Sequence, residues 1–204
     1  MLGLRTLSIA TVATVVAGFA LVFFYAPLDA DQGFVQKIFY IHVPMAIVAL
    51  GGFVAGGIMA IQHLRTNDRA WDMRSYVAIH LSIVLGVGVL VTGAIWAKAS
   101  WGHYWVWDEP VLVSFLVVFL LYCCYQPLRF AIQDPDLQAR TAALFAVMAG
   151  AFVPLLIAAA RATEPLLASP AGPEELAKWL GFMALYDTVF LLVAVAVFDF
   201  LLED

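Results

Sequence analysis

The chain has 204 residues, of which 64% are hydrophobic and 12% charged, and its mean hydropathy is +0.95. So little polar surface cannot cover a soluble globule, and the composition describes an integral membrane protein. The formal charge of −5 belongs to loops and tails with no basic run, which excludes nucleic acid as a partner.

A hydrocarbon core about 30 Å thick needs roughly 20 apolar residues per helix, and six stretches supply them, at about 7–27, 38–62, 76–97, 106–125, 141–160 and 178–201. Backbone polar groups inside lipid must be satisfied within the segment, so the expected fold class is all-α. It is a polytopic integral membrane protein, a bundle of six transmembrane helices with a Trp-rich outer loop, forming one membrane domain over residues 1–204. Arg5 ahead of the first stretch is reminiscent of a signal peptide, but the apolar run exceeds the usual length of about 7–15 residues and is read as a retained span. In the second stretch Gly51, Gly52, Gly56 and Gly57 have the small-xxx-small spacing that lets helices approach closely. The neighbours Cys123 and Cys124 sit inside the fourth apolar run, where they read as packing residues rather than a disulfide framework. No Cys-x-x-Cys-His occurs, so the chain is not itself a c-type cytochrome.

Positive residues divide into Arg5, Arg65, Arg69, Arg74, Arg129 and Arg140 on one side and Lys37, Lys98, Arg161 and Lys178 on the other. The bias favours both termini in the cytoplasm. Six spans also place the loops at about 28–37, 98–105 and 161–177 on a single face, the outer one by this count.

Two places carry candidate chemistry. Residues Trp101-Gly102-His103-Tyr104-Trp105-Val106-Trp107-Asp108 form an aromatic run between two apolar spans. Three indoles supply stiff apolar faces with one N–H each, suited to a flat hydrophobic molecule at a water boundary, although tryptophans also gather there as plain anchors. If the run is helical, Trp101, Trp105 and Asp108 share one face. The second place is His42, about four residues and so roughly 6 Å inside the outer end of the second span. Pro44 cannot donate to the carbonyl of Tyr40, which is expected to loosen the helix beside His42. An intramembrane histidine is a candidate functional group. His63 and His80, at the opposite ends of spans, read as interfacial residues.

A flat ligand that uses both an imidazole and an indole shelf is haem, since neutral imidazole is its commonest axial ligand. Its propionates need cations, and Lys37, Lys98, Arg161 and Lys178 are on the proper side. A quinone, as in the membrane anchor of a redox complex, is the alternative, and a permease working through Asp187 in the sixth span is a third reading.

The Trp-Gly-x-x-Trp-x-Trp-Asp pattern of Trp101, Gly102, Trp105, Trp107 and Asp108 resembles the tryptophan-rich signature of the haem-handling membrane proteins of cytochrome c assembly. The segment Lys37 to Pro44, with its Tyr-x-His-Val-Pro core, resembles one branch of them, the haem exporter protein C family of the cytochrome c maturation system. The resemblance implies a plasma-membrane protein, not an enzyme, that holds haem b at the outer face and passes it to a membrane-anchored haem chaperone. It implies as further partners a small single-span subunit and an ATP-binding cassette transporter pair. By motif, His42 takes the role of axial iron ligand, and Trp101, Gly102, Trp105, Trp107 and Asp108 that of haem platform and chaperone dock; Lys37 is counted among the haem-binding residues as a cation for a propionate. Two features depart from the pattern. The family's second axial histidine belongs to the last outer loop, yet residues 161–177 contain none; Glu164 and His103 are the conceivable substitutes. The family's arginine-leucine-threonine stretch after Trp-Asp is replaced by Glu109-Pro110-Val111-Leu112-Val113-Ser114.

Overall fold

A computed structural model describes residues 4–26, 28 and 30–167. Among these every regular element is helical. α1 (Leu4–Ala20) runs into a π-helical turn at Leu21–Tyr25, and a 3-10 turn at Phe34–Ile38 leads into α2 (Phe39–Thr66). α3 (Arg69–Trp101), α4 (Pro110–Ala131) and α5 (Pro135–Leu167) follow. Four helical stretches are long and apolar enough to cross a bilayer, Phe34–Thr66, Arg69–Trp101, Pro110–Ala131 and Pro135–Ala159, and the apolar stretch Ile9–Tyr25 is shorter. The expected sixth span, with Lys178 and Asp187, lies outside the described residues.

The helix ends are set by caps rather than by where hydropathy fades. α2 closes on Asn67, whose φ of 54° is the left-handed conformation that asparagine tolerates. Its N–H donates to the His63 carbonyl at 2.8 Å. The Asp68 carboxylate then accepts from the Ala70 N–H at 2.8 Å and starts α3. Two residues therefore make the whole α2–α3 turn, and α3 begins seven residues before the expected 76. At the other hairpin, Asp134 accepts from the N–H groups of Asp136 and Leu137, both at 2.9 Å, ahead of Pro135 in the first turn of α5. Gln138 satisfies the last carbonyls of α4 by donating to Arg129 and Ile132. α4 starts at Pro110, not 106. α5 continues to Leu167, so Arg161 and Glu164, expected in a loop, are helical. The good helix formers of Ala158–Ala162 contain nothing to stop it. α2 runs on through Pro44 without a break.

The described residues divide into two compact units, one of those up to Val48 with Leu85–Val106, the other of Ala49–Val84 with those from Trp107 to Leu167. In the second unit α5 buries a stripe of Ala142, Ala143, Ala146, Ala149, Val153 and Leu156 against Phe53, Ile79, Val118 and Tyr122. With lipid on the outside, such packing is driven by close contact and interhelical hydrogen bonds more than by burial from water. The Phe53 and Tyr122 rings stack at 3.9 Å, and the Tyr122 hydroxyl donates to the Phe53 carbonyl at 3.2 Å. Ser75 donates to the Gly56 carbonyl at 2.8 Å.

The glycines of α2 divide by what they face. A Cβ on Gly57 would stand 2.9 Å from the Ala146 carbonyl oxygen and 3.3 Å from the Gly150 Cα, whereas one on Gly51 would meet nothing. Backbone cannot step aside as a side chain can. Gly57→Ala is therefore expected to destabilise the protein by about 1–3 kcal/mol, read as a lower midpoint of unfolding by sodium dodecyl sulfate. Gly51→Ala should leave the midpoint unchanged or raise it.

Candidate functional site

In the first unit, α2 and α3 meet in successive rungs. Met45 packs where a Cβ on Gly88 would stand 2.8 Å from its sulfur. The His42 ring lies where a Cβ on Gly93 would stand 2.9 Å from its Cε1, and the ring of Phe39 meets Trp96 at 6.3 Å. The spacing 39, 42, 45 against 96, 93, 88 is that of two antiparallel helix faces, and the missing Cβ atoms let the larger partners sit close. His42 is half-buried, in the first turn of α2. Its Nδ1 is 3.0 Å from the Thr92 hydroxyl, which itself donates to the Gly88 carbonyl at 2.7 Å and approaches that of Val89 at 3.2 Å.

One helical turn on from Thr92, Trp96 donates from its indole N–H to the Gln32 side-chain carbonyl at 3.1 Å. Its ring meets Trp101 edge-on, with centroids 5.1 Å apart and planes at 77°. The structure thus brings His42, Phe39, Trp96 and Trp101 onto one stretch of the α2–α3 pairing. Trp101 keeps 43% of its surface exposed.

The aromatic run is not helical beyond Trp101. Gly102, at φ 80°, takes the left-handed conformation that ends α3, its N–H donating to the Lys98 carbonyl at 3.1 Å. The expected common face of Trp101, Trp105 and Asp108 is therefore absent, because glycine stops the helix at the motif's second residue. Trp105 is half-buried in the first unit, while Trp107 and Asp108 form an exposed turn grouped with the second, Trp107 at 74% exposure. His103 is exposed.

The two described lysines, Lys37 and Lys98, are already engaged. Lys98 donates to the Gly102 carbonyl at 2.7 Å and lies 5.4 Å from the Tyr104 ring centroid. Lys37 is only 6% exposed, and its ammonium donates to the Phe23 carbonyl at 2.7 Å beside the Phe34 ring. A cation there complements the carbonyl-rich end of the helical run that closes at Tyr25. His63 is buried with Nδ1 3.0 Å from the Asp68 carbonyl, part of the α2–α3 turn. His80 pairs with Gln126 at 2.9 Å.

Sequence reasoning missed Thr92, Gly93, Trp96 and Gln32. The spacing Gly88, Thr92, Trp96 marks one helix face and was legible. Its pairing with Phe39, His42 and Met45 was not.

Residues 3–161 match the family described as Heme exporter protein C. Relatives bearing that name include one from Rhodobacter capsulatus, 33% identical over 146 residues, which covers 72% of this chain and 60% of the relative. Another, from Escherichia coli strain K12, is 31% identical over 150 residues, 74% of this chain and 61% of the relative. The matched stretch thus spans about three fifths of each relative's length. The matched residues take in His42, the whole aromatic run and all four long apolar helices as far as Arg161, and the chain belongs to the haem exporter protein C family.

Proposed function

We propose that this chain binds haem b at the outer face of the plasma membrane and delivers it to a membrane-anchored haem chaperone during c-type cytochrome maturation, acting as a delivery component without catalytic chemistry of its own. The observation that carries the reading is His42 seated on α3 one helical turn from the Trp96–Trp101 pair. A neutral imidazole beside exposed aromatic faces is what an iron porphyrin needs from a protein, a nitrogen for the metal and apolar surface for the ring. His42 is the axial ligand, and Trp101, Gly102, Trp105, Trp107 and Asp108 form the platform and the chaperone's dock. Gly102 ends α3, so the chain leaves the helix at the second residue of the motif. Lys37, donating to the Phe23 carbonyl, holds the π-helical turn in place, and the two further N–H groups of its ammonium are its means of meeting a propionate.

Both termini are cytoplasmic in this reading, with the arginines of the helix ends that flank the α2–α3 and α4–α5 turns on the same side. The partners are the chaperone, a small single-span subunit and an ATP-binding cassette transporter pair. One histidine ligand leaves the opposite axial position to the chaperone or to solvent, which suits a carrier that must release its cargo.

Titrating haem into the purified chain in lipid nanodiscs tests this. A saturable Soret band with a red shift from free haem is the expected result. A spectrum identical to haem in empty nanodiscs, with quinone instead recovered from the purified protein, rules the proposal out.

A further inference from the structure

Around His42 the hydrogen-bond geometry determines where one proton must be. The Thr92 hydroxyl oxygen lies 2.7 Å from the Gly88 carbonyl oxygen. Two oxygens at that separation attract only with a proton between them, and the carbonyl has none to give. The hydroxyl proton is therefore committed to Gly88, in the back-bond to residue i−4 that helical threonines commonly make. What Thr92 then offers His42, at 3.0 Å, is a lone pair. A bare Nδ1 would meet it lone pair to lone pair, so Nδ1 must carry a hydrogen and donate it.

We infer that Thr92 is a positioning residue that holds His42 in the tautomer protonated on Nδ1, leaving Nε2 with the lone pair that meets the iron. The inference rests on the haem reading for its last clause and on geometry alone for the rest. Gly93 completes the device. A Cβ there would stand 2.9 Å from Cε1 and 3.6 Å from Nδ1, so only glycine lets the ring lie flat enough against α3 to reach Thr92. Metal-bound histidines commonly donate their other N–H to a fixed acceptor, which sets the tautomer and the ring's orientation. Here the acceptor is a hydroxyl whose own proton is tied down by the backbone.

Nitrogen-15 NMR of histidine-labelled, haem-free protein in nanodiscs above pH 7 distinguishes the tautomers, with the His42→Ala protein identifying the His42 signals. Wild type is expected to show Nδ1–H. Thr92→Val, which keeps the shape and removes the hydroxyl, should lose that preference and bind haem about 10–100-fold more weakly. Thr92→Ser should restore both. Gly93→Ala, which keeps the hydroxyl but crowds the ring, should lose the preference as Thr92→Val does. An Nε2–H tautomer in wild type, or a wild-type tautomer retained in Thr92→Val, overturns the inference. A wild-type chain that shows the Nδ1–H tautomer, loses it in Thr92→Val and takes up no haem upholds the positioning role and sinks the haem reading alone.

Discussion

Replacing His42 with alanine should remove most of the haem that the chain retains through purification, with the residual Soret band shifted towards that of haem in lipid. Outer-shell changes at metal sites cost about 10–100-fold in affinity, and loss of the ligand itself must exceed that. The half-buried ring sits in a niche between α2 and Gly93, so its removal leaves a space of imidazole shape. Exogenous imidazole should therefore restore part of the Soret band in His42→Ala, an effect that global unfolding would not permit. His103→Ala is the discriminating comparison. His103 lies exposed in the same aromatic run, and if it were the iron ligand its loss would abolish the band while His42→Ala left it intact. That second pattern would reject the assignment of the axial role to His42.

The residues of the proposed site were picked out from the amino-acid order. His42 and the Trp101–Asp108 run stand out because an intramembrane imidazole and three clustered indoles are costly to place without purpose. The apolar lengths likewise located the four described membrane helices. What hydropathy cannot read is how far a helix extends past the lipid. α3 runs back to Arg69 and α5 back to Pro135 because Asp68 and Asp134 cap them there, and those caps were present in the sequence as turn residues. The aromatic run shows the opposite error. Spacing alone allowed a helical shelf, but the glycine immediately after Trp101 is itself a helix stop signal, and the stop prevailed. The face carrying Thr92 and Trp96 could be read from spacing, but its partners could not, since long-range pairing of two apolar helices leaves no mark in either one separately.

The same blindness to partners hid the strongest electrostatic feature of the second unit. By sequence Arg129 is one more positive charge at the end of a span, yet it is buried with Asp72. Both guanidinium nitrogens donate to the two carboxylate oxygens at 2.7 Å. Nη1 also reaches the Tyr125 hydroxyl at 3.3 Å, and the guanidinium lies over the Tyr76 ring at 4.9 Å. Each charge suits its own helix, Asp72 in the first turn of α3 and Arg129 in the last turn of α4. With side-chain exposures of 8% and 6% the pair is shielded from water, so removing one partner strands a charge. Arg129→Ala or Asp72→Ala is expected to cost about 3–5 kcal/mol. In sodium dodecyl sulfate titrations either variant should unfold well before wild type. Replacing both with apolar residues of similar volume, Asp72→Leu with Arg129→Met, should recover most of the loss, because the desolvation cost disappears with the attraction. Single variants that unfold with wild-type midpoints would show that water reaches the pair and that its bidentate geometry contributes nothing net. A double variant as unstable as the singles would show that the network through Tyr125 and Tyr76, rather than the stranded charge, holds α3 to α4.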